Sequence, residues 1–123
     1  MRIERLGNLN VYFAAAEGPA LSSEQDALDL IGETYGQEID VIVVPAARFT
    51  PLFFQLSNQQ AGHFFQKMQN YLARLVILGD ISAYSASSKA LRDFVSETNR
   101  IGHHLFTATE SEMQVRLCGK SLN

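Results

Sequence analysis

The sequence predicts one α/β domain: an N-terminal hairpin, then alternating helix–strand units around a mainly parallel central sheet with covering helices. Three observations carry this. "DVIVVP" and "RLVILGD" hold uninterrupted apolar runs, the first with four consecutive β-branched residues, as strands buried on both faces do. Segments with the apolar spacing of amphipathic helices lie before, between and after them. Alternation of this kind implies parallel pairing through right-handed crossovers.

Each element has its own signal. Ile3, Leu6, Leu9, Val11 and Phe13 lie in two short runs around Gly7-Asn8, a turn pair, so residues 1–16 read as the hairpin. "LSSEQDALDLIGETYG" reads as a helix. Ser22 with Gln25 fits a capping box, Ala27, Leu28, Ile31 and Tyr35 form the inward face, and Gly36 suits the stop. A second helix within "FTPLFFQLSNQQAGHFFQKMQNYLA" has Ser57 or Asn58 as its cap. Its inward face is Ala61, Phe64, Phe65, Met68, Tyr71 and Leu72. "SSKALRDFVSETNR" is the third helix, with Leu91, Phe94 and Val95 inward and Ser87 or Ser88 at its start. "HHLFTAT" is the last strand. "TESEMQVRL" is the last helix, with a capping box of Thr109 and Glu112. Residues 119–123 read as a frayed tail.

Composition narrows the function. A chain of 123 residues is one domain by length and can bury roughly two-thirds of its unfolded surface, enough to fold without metal or disulfide. The net charge is −3 and the ten basic residues are scattered, which argues against a nucleic-acid binder. The one cysteine, Cys118, can form no internal bridge and points to a reducing, cytoplasmic compartment. The opening Met-Arg-Ile-Glu-Arg puts charges where a leader needs an apolar core, and no apolar stretch approaches the ~20 residues of a membrane span.

Catalytic and cofactor motifs do not occur. There is no G-x-G-x-x-G, no G-x-x-x-x-G-K-[ST] and no G-x-S-x-G, so no cofactor is expected. Glu17 alone does not supply the acidic pair of a phosphoreceiver site. Tyr71 with Lys67 has the reverse order of a short-chain reductase pair. Of the three histidines, His103 and His104 would point to opposite faces of a strand, and His63 has Lys67 at i+4. No metal site is expected.

Polar residues at the ends of the predicted elements are the candidate ligand-binding set. Asp80 follows a strand, at the carboxyl end where parallel sheets place ligands, with Ser88 and Lys89 at the start of the third helix. Lys67, Asn70, Asn99 and Arg100 fall toward the other end, because crossover helices run back along the sheet. Phe53 and Phe54, adjacent aromatics in a connection, are the candidate interface, most simply of a symmetric homodimer.

The spacing of Ala61-Gly62, Gln66-Lys67, Asn70-Tyr71, Gly79-Asp80, Glu97 and Asn99-Arg100 resembles the signature of an uncharacterised bacterial family, domain-of-unknown-function family 4180. The likeness runs from "ALDLIGETYG" to "ESEMQVRL". It implies a glycine just before the second helix, where this chain has Gln59, and it implies no particular activity. The element order is also similar to that of anti-sigma-factor antagonist and sulfate-transporter (STAS) domains. In those, an acidic-Ser-Ser-Gly stretch opens the second helix and its serine can be phosphorylated. Here "RFTPLFFQLSN" stands in that place, with Ser57 as the nearest hydroxyl, so that switch is not expected.

Two readings follow. The first is a non-catalytic regulatory or protein-interaction module with a protein partner or a second copy. The second is a small-molecule or anion-binding domain with its site at the carboxyl ends of the parallel strands.

Overall fold

The computed structural model describes residues 2–119. Strands β1 (Arg2–Leu6) and β2 (Leu9–Phe13) form the hairpin. Gly7, at φ 62, takes the left-handed first position that a two-residue hairpin turn needs. Helix α1 (Glu24–Glu33) leads to β3 (Val41–Pro45), and α2 (Gln60–Asn70) to β4 (Arg74–Leu78). A short helix α3 (Ser82–Ser85) precedes α4 (Lys89–Ile101), then β5 (Leu105–Thr107) and α5 (Glu110–Cys118). The strand order is β1-β2-β3-β4-β5, antiparallel in the hairpin and parallel elsewhere.

This order decides which face each helix covers. Successive parallel strands joined by right-handed crossovers put every crossover helix on one face. Tyr12, Ile42, Val44, Leu75, Ile77 and Phe106 turn that way and pack with Leu30, Phe64, Met68 and Leu91 of α1, α2 and α4. Their neighbours Val11, Phe13, Val41, Val43, Val76 and Leu105 turn to the opposite face, as strand periodicity requires. There α5, which is no crossover, covers them with Met113 and Leu117. Arg2 braces the hairpin to this helix: its guanidinium lies 4.1 Å from the Phe13 ring centre and 3.1 Å from Glu110. The half-buried Cys118 packs in the same cluster.

Several local expectations shift. Ser23, not Ser22, caps α1. Its partner is Asp26 rather than Gln25, and the Asp26 carboxylate accepts from the N–H groups of both Ser22 (2.8 Å) and Ser23 (3.0 Å). Burial pushes the Asp26 carboxyl up, and those bonds outweigh it, leaving a net lowering. Tyr35 lies past the end of α1 and is 90% exposed, while Leu30 takes the inward position. Glu112 supports α5 through Ala108: Thr109 accepts from the Glu112 N–H, but the Glu112 carboxylate accepts from the Ala108 N–H, 2.9 Å away.

Tyr71 and Leu72 also leave the inward face and are exposed, because α2 ends at Asn70. The Leu72 N–H donates to Gln69 O and the Ala73 N–H to Met68 O, both at 2.9 Å. These are the paired bonds of a Schellman stop, and they place Leu72 at φ 58, where glycine is usual. At the other end, neither Ser57 nor Asn58 occupies the N-cap position. Gln59 holds the N-terminal position at φ 65, again left-handed, and the Asn58 side chain accepts from the Gln60 N–H. Glycine would take the Gln59 conformation without strain.

Residues 46–58 fold into three single 3-10 turns. Within them Arg48 is buried and donates to Ala15 O (2.8 Å) and twice to Pro19 O, pinning the loop after β2. A side chain at Gly18 would come within 3.0 Å of that guanidinium. Residues 120–123, most of the expected frayed tail, lie outside the described residues, while Gly119 at φ 79 ends α5.

Candidate functional site

Most of the polar residues singled out from sequence are engaged in local structure. The Asp80 carboxylate accepts from the Ser82 N–H at 2.8 Å. That N–H and the Ser82 hydroxyl hold its carboxyl below the usual range. Ser88 caps α4 by accepting from the Leu91 N–H, and Lys89 pairs with Asp93 one turn on. Asn70 accepts from Gln66 on the same helix. Lys67 points back along α2, as helical side chains do, and meets Glu24 of α1 at 3.7 Å, with His63 at 3.8 Å from the same carboxylate. Lys67 therefore pairs with α1 rather than with Asn99 or Arg100. Asp80 and Arg100 form no ion pair among the described residues.

Phe53 and Phe54 are not exposed. Their relative exposures are 0% and 3%. Thr50 caps the turn Pro51–Phe54, which rolls both rings inward. Phe53 packs against Phe49 (4.4 Å between ring centres) and Phe64 (5.5 Å). Phe54 stacks on Tyr84 at 4.5 Å. Adjacent aromatics both face inward here because a 3-10 turn, unlike a strand, rotates neighbours by only a third of a turn.

The carboxyl ends of the strands carry three adjoining hollows. One, about 240 Å³, lies by Phe13, Pro45, Leu78 and Glu110. The next, about 420 Å³, shares Pro45 and Leu78 and adds Ala46, Gly79, Asp80 and Tyr84. The third, about 390 Å³, shares Tyr84 and extends to Ser57 and Ser88. Gly79 at φ 142 lets the chain pass close to Ala46, whose Cβ would stand 3.1 Å from a side chain there.

A groove of about 480 Å³ lies beside β5, between α4 and α5. Arg92, Ser96, Asn99 and Arg100 follow one stripe of α4 at helical spacing, and Arg116 of α5 stands across from them, with Ile81 and Val95 contributing apolar surface. The Arg92 guanidinium donates to the Ser85 and Ala86 carbonyls at 2.7 and 3.1 Å. Arg100 forks onto Glu97, which holds that carboxyl low and raises the guanidinium; Arg116 meets Glu112 at 3.3 Å. Asn99 turns inward to the Phe106 backbone instead of toward a ligand. Sequence reasoning found Asn99 and Arg100 but missed Arg92 and Arg116. The spacing of 92, 96 and 100 on one helix was available in the sequence; the approach of Arg116 was not.

At the opposite end of the sheet Arg74 donates to the carbonyls of Gly102 and His103. His103 and His104 precede β5 instead of lying within it, so their rings do not part to opposite faces but meet edge to face at 4.6 Å. His104 Nδ1 accepts from the Leu75 N–H at 3.0 Å. Burial, then His103 and Arg74, push its imidazole down to about 4. Burial and Arg74 also lower His103, against a bond to the Ala73 backbone. Among the described residues, no group of three or more His, Cys, Asp or Glu side chains could hold a metal ion, and no helix is long and apolar enough to cross a membrane.

No curated protein and no solved structure matches the chain. The Asn99–Arg100 and Gly79-Asp80 positions, with the helices and strands that carry them, fall inside a family match that spans residues 6–117, and the chain belongs to that family, the domain of unknown function DUF4180.

Proposed function

We propose that the chain is a non-catalytic regulatory or protein-interaction module that receives a polypeptide in the groove beside β5. The observation that carries this is the groove itself: an open trough of about 480 Å³ in which three of eight lining residues are arginines. In a chain of net charge −3 with ten basic residues, that concentration on one flank supports a recognition role. The engagement of Asp80 and Ser88 with the backbone N–H groups of Ser82 and Leu91 favours this reading over a convergent small-ligand site. Cys118, a lone half-buried thiol, suits a reducing, cytoplasmic setting. The test places a photo-cross-linking residue at Ser96 in the groove and, as a control, at the exposed Glu38. A discrete polypeptide adduct formed in source-cell extract at position 96 and not at 38 is expected. Equal labelling at both positions, or none at 96, would reject the reading.

A second reading is a small-molecule site at the carboxyl ends of the strands. It is favoured by the adjoining hollows that share Pro45, Leu78 and Tyr84. Thermal-shift screening of a metabolite set against the parent and Ala46→Trp, which would fill the middle hollow, tests it. A stabilising compound whose effect survives the tryptophan does not bind there.

A further inference from the structure

We infer that the β5-flanking groove binds an acidic polypeptide segment whose carboxylates lie about three to four residues apart. The inference rests on the interaction-module reading and adds the partner's chemistry. Arg92 and Arg100 are eight residues apart on α4, which separates their backbones by about 12 Å along the helix axis. One compact anion does not span that distance. An extended chain covers it in three to four residues at about 3.3 Å each. Arg116, on the other helix, offers a third positive charge across the trough, while Ile81 and Val95 give aliphatic contact between the charges.

The arginines are available at small cost. Arg100 and Arg116 are held by Glu97 and Glu112 in exposed pairs, with side-chain exposures of 71%/56% and 40%/39%. Exposed pairs of this kind contribute little, so an incoming carboxylate can replace the resident one. Among the described residues Arg92 has only carbonyl partners, so its charge has no carboxylate there to displace. Guanidinium forks match carboxylates in two-point contacts.

The neighbouring strand edge restricts the mode of binding. At Phe106, Asn99 already occupies the N–H and C=O that a docking strand would use. The partner is therefore read through its charges and not by extending the sheet at that point. A nucleic acid would carry its phosphates beyond the three arginines onto a chain of net charge −3, which favours the short acidic segment.

The experiment is fluorescence anisotropy with a labelled Gly/Ser peptide bearing three glutamates at every fourth position. Its glutamine counterpart and an oligothymidylate single strand are the comparisons. The glutamate peptide is expected to bind saturably, at least tenfold more tightly than the glutamine peptide, and to weaken as salt rises. Arg100→Gln/Arg116→Gln is expected to lose at least tenfold in affinity. Arg92→Gln should do the same, with its circular-dichroism melt compared with the parent because Arg92 also bonds backbone carbonyls. Equal binding of the glutamine peptide, tighter binding of the oligothymidylate, or unchanged affinity in the double variant would overturn the inference. A polypeptide adduct at position 96 without any binding of the glutamate peptide would also overturn it, while leaving the interaction-module reading intact.

Discussion

The Asn99 carboxamide holds both backbone groups of Phe106: Nδ2 donates to the carbonyl at 3.0 Å and Oδ1 accepts from the N–H at 2.8 Å. Thr107 O accepts from Gly79 N–H, so residue 107 faces the chain of β4 and residue 106, by alternation, faces outward. β5 ends the sheet. The side chain of α4 thus stands where a sixth strand would be, and closes an edge that would otherwise be open to pairing. Asn99→Ala leaves a buried donor and acceptor unpaired. A loss of about 1–3 kcal/mol is expected in urea unfolding. A variant as stable as the parent would show that water replaces the amide.

Leu72 sits in the left-handed C′ position that ends α2, and 79% of it is exposed. The left-handed conformation costs a non-glycine residue roughly 1–2 kcal/mol, and the side chain recovers little by burial. Leu72→Gly is expected to raise stability by about 0.5–1 kcal/mol after the greater unfolded-chain entropy of glycine is subtracted. Differential scanning calorimetry should show a higher Tm. A lower one would mean that the leucine packs on a surface that matters.

His104 must stay neutral for its Nδ1 to accept the Leu75 N–H. Its folded value, about 4, lies below the ordinary 6.5. The unfolded state therefore binds the proton more readily between those values, and stability rises with pH. The contribution is complete above about pH 6.5 and is lost as pH falls through about 4. The carboxyls of Asp26, Asp80 and Glu97, lowered by their partners, add their own losses at more acidic pH. Urea midpoints should fall between pH 7.5 and 5 for the parent. His104→Asn, which keeps an acceptor and cannot be protonated, should fall less. Equal slopes would assign the effect to other groups.

Phe53 is fully buried against Phe49 and Phe64. Phe53→Ala should cost about 3–5 kcal/mol through the cavity it opens. Sedimentation at equal folded fraction should show the same association state as the parent. A change of association state with little loss of stability would return this residue to an interface.

Replacing Ile77, 1% exposed in the interior strand β4, with aspartate should abolish cooperative folding, since an unpaired buried charge costs several kcal/mol. A soluble Ile77→Asp protein with a sharp melt would contradict the placement of β4.

The sequence by itself determined the order of the strands and of the helices that cross between them, the hairpin turn at Gly7-Asn8, the buried strands around Val43 and Ile77, and the start of α4 to within Ser87-Ser88, but not the short α3 or the 3-10 turns. These are local matters: periodicity reports which side of an element is apolar, and caps report where backbone N–H groups need an acceptor. Only the tertiary structure decided where polar side chains spend their hydrogen bonds. Lys67 was legible as a polar flank of α2, but not as a partner of Glu24, 43 positions earlier. Asn99 and Arg100 were adjacent polar residues, yet one turns in to Phe106 and the other out to the groove. Tyr71 and Leu72 continued an apolar face until two backbone bonds stopped the helix beneath them. Phe53 and Phe54 looked exposed until a 3-10 turn rolled them inward. A hydrophobic side needs only to be away from water, so many packings satisfy it and a pattern suffices to reveal it. A hydrogen bond needs one partner at one distance, and that partner is brought close only when the elements have packed.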